Sequence, residues 1–283
     1  MLKLLANFLA FVGVIVASAS DAQAGKAVEI SYGALERQKL DIYAPEHVTA
    51  APVMIFVHGG GWHIGKKERV HQKPRAFNRE GFIFVSVGYP LLPDHPVETQ
   101  AASVAEAIAW VSKNIADYGG DPAQLHLMGH SAGAHLVSLA ALDQRYFASR
   151  QVSASSIVTV TSLDGASLNI PWRMENLEEA GRYARRMFRQ SFGDDPVRWQ
   201  ALSPYHYIKE GQSIPAFLFV IAEARTASNL AADDVKKRMD EVGAISEIVE
   251  ITNSNHLSIN RKMGRKRDKA FPAIIDFIRK NAR

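Results

Sequence analysis

The chain has no cysteine among its 283 residues. Disulfides are therefore excluded, and so is a lipid attached through a lipobox thiol. An apolar run long enough to cross a bilayer is also missing. The stretch from Leu4 to Val16 covers 13 residues, short of the ~20 that a spanning helix needs. Neither sign of charge dominates, with 33 Lys and Arg against 29 Asp and Glu. The basic residues that do cluster, Arg261, Lys262, Arg265, Lys266, Arg267 and Lys269, have no aromatic residues among them. They read as a solvated loop leading into the last helix and not as a nucleic-acid surface. No H-E-x-x-H, G-x-G-x-x-G or Walker loop occurs. His126 and His130 are four apart, but His126 falls in a strand-like run and no carboxylate cluster joins them. No metal and no cofactor is implied. Repeats and low-complexity linkers are absent too, so nothing marks an internal domain boundary.

What remains is ordinary globular composition, 47% hydrophobic and 22% charged. The start of the chain has its own pattern. Met1-Leu2-Lys3 is a short cationic opening, the apolar run follows, and small residues lead to Ala22-Gln23-Ala24. This order is that of a cleavable signal peptide. The expectation is cleavage after Ala24, residues 25–283 as one domain, and a secreted or periplasmic location without stable membrane insertion.

Short apolar runs then alternate with helical patterns. Val53 to Val57, Phe82 to Val87, Leu125 to Met128, Ser156 to Ser162, Phe217 to Ile221 and Ser246 to Ile251 read as strands. Between them Val104, Ile108, Val111 and Ile115 form one apolar stripe at helical spacing, and 132–141, 234–242 and 270–278 read as further helices. This alternation predicts an α/β fold with a mostly parallel sheet and helices on both faces. The segment 164–204, with Trp172, Tyr183, Phe188, Phe192 and Trp199, is too long for an ordinary connection. It reads as a partly helical, cap-like insertion that either overhangs a pocket or makes a surface excursion.

Two motifs carry chemistry. Gly129-His130-Ser131-Ala132-Gly133 lies between the third strand and a helix. G-x-S-x-G in that context is a sharp turn that raises a serine hydroxyl above a sheet, at a helix N-terminus where negative charge is favoured. Ser131 is the expected nucleophile. The first apolar run ends in His58-Gly59-Gly60-Gly61-Trp62. Such a loop brings backbone N–H groups close to an oxyanion, and the expected donors are Gly60, Gly61 and Ala132. Gly59 shapes the turn, and His58 is expected to brace it through a backbone bond.

The pairing of these motifs resembles the hormone-sensitive-lipase-like and feruloyl-esterase/acetylesterase-like α/β-hydrolases, which include kynurenine formamidases. The resemblance extends over nearly all the chain after residue 24. Leu40-Asp41-Ile42-Tyr43-Ala44-Pro45 is similar to that family's opening strand. Gly88-Tyr89-Pro90-Leu91-Leu92-Pro93, Tyr118-Gly119-Gly120-Asp121-Pro122 and Ser203-Pro204-Tyr205-His206 are similar to later segments, although Pro90 stands where many relatives have arginine. The resemblance implies an α/β-hydrolase fold and hydrolysis of small-molecule esters of short or aromatic acyl groups. The same motifs serve amidases and arylformamidases, so that alternative stays open. Oligomeric state is not legible.

Hydrolases of this fold order their triad as serine, acid, histidine. His256 follows the last strand run and is the expected base; His206 comes too early. The acid is awkward. After the fifth run the chain reads Ala222-Glu223-Ala224-Arg225-Thr226, with Arg225 near where relatives carry aspartate. A guanidinium cannot stabilise an imidazolium. Glu223 is the nearest carboxylate and is taken as the acid, with Asp233 and Asp234 as alternatives. Arg225 also motivates a different class of reading, a hydrolase fold that has lost catalysis and binds its ligand.

Overall fold

The computed structural model describes residues 27–165, 168–223 and 226–282. The leader expected over residues 1–24, and Arg225, lie outside them. The strands are β1 (Val28–Ser31), β2 (Lys39–Tyr43), β3 (Ala51–Val57), β4 (Ile83–Val87), β5 (Gly120–His130), β6 (Ile157–Leu163), β7 (Ala216–Ala222) and β8 (Ser246–Ile251). The helices are α1 (Lys73–Arg79), α2 (Val97–Asn114), α3 (Ala132–Leu142), α4 (Arg145–Ala148), α5 (Ile170–Glu175), α6 (Arg182–Phe192), α7 (Pro196–Ala201), α8 (Thr226–Glu241), α9 (His256–Arg261) and α10 (Ala270–Asn281). Every expected strand run is a strand, and β1 adds an antiparallel edge strand beside β2.

The sheet runs β1-β2-β4-β3-β5-β6-β7-β8. From β4 through β8 all pairings are parallel, while β2 joins β4 antiparallel and β1 joins β2 antiparallel. Parallel neighbours need long crossovers, and here helices supply them on both faces. Alternation along β3 makes the division visible. Val53, Ile55 and Val57 face a core shared with α2, α3 and α8, whereas Met54 and Phe56 face a smaller core shared with α1 and α10. Side chains of period two on a doubly covered strand yield the continuous apolar runs seen in the sequence. Edge strand β8 is instead half open and carries Glu247 and Glu250, charges that discourage edge-to-edge pairing.

Register sets the working edge. Val57 pairs with Gly129 across β3 and β5, and His130 pairs with Leu163 across β5 and β6. The glycine loop, the serine turn and the segment after β6 therefore leave the sheet at one level, at the carboxyl ends of parallel strands, where open α/β sheets bind ligands. Segment 164–204 holds α5, α6 and α7 at this end. It is tied down by Arg198 of α7, whose Nε and Nη2 donate to Glu98 of α2 at 2.6 and 2.9 Å.

Under the same edge sits an unusual buried cation. Lys73 opens α1 with no solvent exposure. Its Nζ donates to Asn260 O at 2.9 Å and lies 4.8 Å from the Phe56 ring centre. Burial pushes its ammonium down to about 7, with Asp268 pulling weakly the other way. An unfolded lysine titrates near ~10.4. Between these values the unfolded chain holds a proton that the folded chain has released, so stability rises with pH across that window. Below about pH 7 both states are protonated and the full penalty applies. Lys73→Met should raise the melting temperature more at about pH 6.5 than at about pH 10, measured by calorimetry. Equal shifts at the two pH values would remove Lys73 as the cause.

Candidate active site

Ser131 sits at the N-cap of α3 with φ 54° and ψ −117°, a strained conformation for a non-glycine residue. Close packing holds it there. A Cβ on Gly133 would lie 2.2 Å from Val57 O and 2.5 Å from His58 O, and one on Gly129 would lie 2.2 Å from Gly133 O. Only glycines let the helix start press against the end of β3. The Ser131 amide donates to Leu163 O at 3.1 Å, locking the turn to the neighbouring strand.

The Ser131 hydroxyl stands 3.1 Å from His256 Nε2, and His256 Nδ1 is 2.5 Å from Asp164 Oδ2. An ionised carboxylate only accepts, so the ring proton is on Nδ1 and the Nε2 lone pair accepts the serine proton. Asp164 follows β6 directly and is 1% exposed. Its other oxygen, Oδ1, accepts from Ala222 N at 3.2 Å, and its own amide donates to Val220 O at 2.7 Å. The carboxylate is thus fixed from two sides before it meets the imidazole.

His256 opens α9. Asn255 caps that helix by accepting from the Leu257 and Ser258 amides at 3.1 and 2.9 Å, while Ser258 Oγ accepts from Asn255 N at 2.8 Å. This reciprocal capping box fixes where the helix starts and hence where the imidazole points. Beneath it lies His130. Its Nε2–H donates to the His256 carbonyl at 2.9 Å, and the two rings are 4.7 Å apart. Burial, helped by the nearby His256 and Lys73, pushes the His130 imidazole down to about 3, so it stays neutral and acts as a fixed donor.

These contacts correct the assignment of Glu223. Its carboxylate accepts from Asn253 N at 2.6 Å and braces the loop before His256; it is not on the ring. The reason lies in how the two side chains are engaged. Asp164 Oδ1 is anchored on the Ala222 amide, which leaves Oδ2 for His256, whereas the Glu223 carboxylate is taken up by the Asn253 amide although β7 adjoins β8, the strand that His256 follows. The alternatives fail likewise: Asp233 is exposed on α8, and Asp234 accepts from Asn169 Nδ2 at 2.9 Å. The usable signal was the Leu163-Asp164-Gly165 step, a carboxylate at the end of a buried run.

The glycine loop lies where expected. His58 Nδ1 donates to Gly59 O at 2.9 Å, and Tyr89 stacks on the His58 ring while its hydroxyl donates to His58 O at 2.8 Å. Burial lowers the His58 imidazole to about 4, which keeps it neutral. Gly60 has φ 136°, and a Cβ there would meet Ile64 O at 1.8 Å. Gly60, Gly61 and Ala132 line one cavity of about 810 Å³ together with Ser131 and His256. Its opposite wall comes from segment 164–204, through Trp172, Tyr183, Met187 and Phe188. That segment overhangs the pocket. Trp62 anchors it, packing edge-on against Phe188, Phe192 and His135.

A sheet of this order, with a serine turn after β5 and a histidine after β8, defines an α/β-hydrolase fold. The chain belongs to the BD-FAE family, whose model matches residues 40–226, about two thirds of its length. It is similar to esterase LipQ of Mycobacterium tuberculosis, 30% identical over 248 residues, covering 82% of this chain and 57% of that protein. It is also similar to a probable isoprenylcysteine alpha-carbonyl methylesterase, ICME, of Oryza sativa subsp. japonica, 33% identical over 158 residues, 54% of this chain and 38% of that protein. The chain thus spans roughly half the length of these curated relatives or less. Among solved structures, esterase B from Lactobacillus rhamnosis aligns with a TM-score of 0.75 at 20% identity, covering 93% of this chain and 90% of that one. Esterase 2 of Thermogutta terrifontis aligns with a TM-score of 0.68 at 22% identity, covering 90% and 92%.

The geometry generates a test that needs no substrate. A fluorophosphonate probe reads the reactivity of the Ser131 hydroxyl directly. Asp164→Asn should slow labelling by several orders of magnitude, since losing the equivalent carboxylate costs ~10⁴ in serine proteases. Glu223→Gln should change the rate only a few-fold. The reverse ranking in labelling kinetics would restore Glu223 as the acid.

Proposed function

We propose that the protein is a serine hydrolase that cleaves carboxylic esters through an acyl-enzyme. The observation that carries this reading is the continuous hydrogen-bonded line Ser131–His256–Asp164 at the wall of a closed-over cavity. Membership of the BD-FAE family and similarity to proteins named as esterases support it. Ser131 Oγ attacks the ester carbonyl as His256 Nε2 takes its proton. The Gly60, Gly61 and Ala132 amides receive the developing oxyanion. His256 then returns the proton to the departing alcohol, and a water activated by the same imidazole releases the acid. Asp164 holds the Nδ1–H tautomer and stabilises the transient imidazolium. With a buried carboxylate in place, the reason for a binding-only reading disappears.

The pocket wall also bears on substrate size. Lids that open at oil surfaces present continuous apolar faces, whereas the outer face of α6 mixes the exposed Tyr183 with the exposed Arg182, Arg186 and Arg189. A cavity of about 810 Å³ holds an aryl ester with room to spare. Ser131→Ala should therefore lower kcat on C2 to C4 aryl esters by ~10⁶, and wild type should prefer those esters to emulsified long-chain ones. A Ser131→Ala variant that keeps a tenth of the rate, or faster turnover of long-chain emulsions, would overturn the corresponding statement.

We further propose export, with removal of the segment up to Ala24. Its support is the cationic, apolar and small-residue order of the first residues. Fractionation with N-terminal sequencing of the expressed protein should find a chain starting at Gly25 outside the cytoplasm. Cytoplasmic protein with an intact start would sink this.

A further inference from the structure

The charged side chains that line the cavity are all of one sign, and the buried Asp164 behind them is taken up by His256. Lys66, Arg69, Arg173 and Arg261 line it, and neither Asp nor Glu does so among the described residues. The acidic groups nearby are engaged elsewhere. Glu68, in the same loop as Lys66 and Arg69, lies 3.2 Å from Lys67. Lys67 in turn is held by Asp41 at 2.7 Å and Glu29 at 2.8 Å, on the sheet side of the loop. Asp268 accepts from the Gly264, Ala270 and Phe271 amides. Glu178 pairs with Arg185 and Arg189. Lys66, Arg69 and Arg261 are exposed and form no ion pair among the described residues. The His71 imidazole, also in the lining, feels the result: burial lowers it first, and then Lys73, Arg261, Arg265 and Arg69 do so together.

The placement of these cations relative to the chemistry is specific. Arg261 ends the same helix, α9, that His256 begins. Five residues at a helical rise separate the two backbone positions by roughly 7.5 Å along the axis, and both side chains line the cavity. Lys66 and Arg69 belong to the loop that continues from the glycine turn. In the ester-hydrolase reading His256 protonates the departing alcohol, and Arg261 lines the same cavity from the same helix. Arg173 is placed differently: it is buried and lies over the Trp172 and Phe188 rings at 5.1 and 5.8 Å, within the aromatic wall. Guanidinium groups match a carboxylate through two parallel N–H donors.

We infer that the preferred substrate is an ester whose alcohol portion carries a carboxylate, received by Lys66, Arg69 and Arg261 beside His256. This rests on the ester-hydrolase reading of the same site. The reaction is ordinary hydrolysis: the ester C–O bond breaks, Ser131 carries the acyl group until water removes it, and the alcohol leaves with its carboxylate unchanged.

Two probes of near-equal shape separate the possibilities, 4-acetoxybenzoate and its neutral counterpart 4-acetoxybenzamide. At low ionic strength kcat/KM should favour the benzoate by about tenfold, within the range of electrostatic focusing. That ratio should fall toward one at about 0.5 M NaCl, because the receiving charges are exposed and salt screens them. It should also fall several-fold in R69Q/R261Q, with R261Q alone as a milder variant if the double substitution fails to fold. Cleavage of the benzamide with a ratio of one or below, or a ratio indifferent to salt and to both variants, overturns the inference and leaves the hydrolase reading intact. If neither probe is cleaved, the hydrolase reading fails and this inference falls with it.

Discussion

Everything at the working edge depends on how tightly the start of α3 is pressed against the end of β3. Ser131 occupies a backbone conformation that an isolated chain would leave. It stays because Gly129 and Gly133 leave room for main chain to touch main chain, and because its amide is tied to Leu163 O. The same contact puts the His58 carbonyl near α3 and starts the glycine loop beside the serine. Strain at one residue is held by the packing of a central strand buried on both faces.

Around that turn the site is built from neutral, fixed donors, while charge is kept to a few places. His58, His130 and His135 are all lowered by burial into the range of 3 to 4 and remain neutral. Each gives one ring N–H to a backbone carbonyl: His58 to Gly59, His130 to His256 and His135 to Leu202. An imidazole used this way acts as a rigid strut, joining the glycine loop, the base and the overhanging segment to the sheet. At this edge the buried carboxylate is Asp164, and it lies against the His256 imidazole. The positive charges line the cavity that the overhang encloses.

The overhang itself is held by packing and by a few polar ties. Trp62, Phe188 and Phe192 form an aromatic knot above α3, and Arg198 clasps Glu98. Ser203 Oγ donates to Leu168 O at 3.1 Å, and the Ile170 amide donates to it at 3.2 Å, which joins the two ends of the segment. These contacts hold Met187 over Gly61, so the glycine loop and the pocket wall form one surface.

The chain itself declared what is local. Strand runs, the serine turn, the glycine loop and the histidine after the last strand are contiguous patterns whose geometry follows from neighbours in sequence, and they stand where those patterns put them. The acid was not local. Glu223 and Asp164 both follow apolar strands in the required order between Ser131 and His256, so chain order alone does not rank them. Tertiary contacts rank them: the Ala222 amide anchors Asp164 Oδ1 so that Oδ2 meets the imidazole, while the Asn253 amide takes up Glu223, which braces a loop. The basic cluster near the end divides for the same reason. Arg261 reads as one more solvated charge along the chain, yet α9 turns it into the cavity, 130 residues after the serine it faces. Which side chains share a cavity is decided by how strands are ordered and helices are docked, and those are long-range contacts that no short pattern encodes.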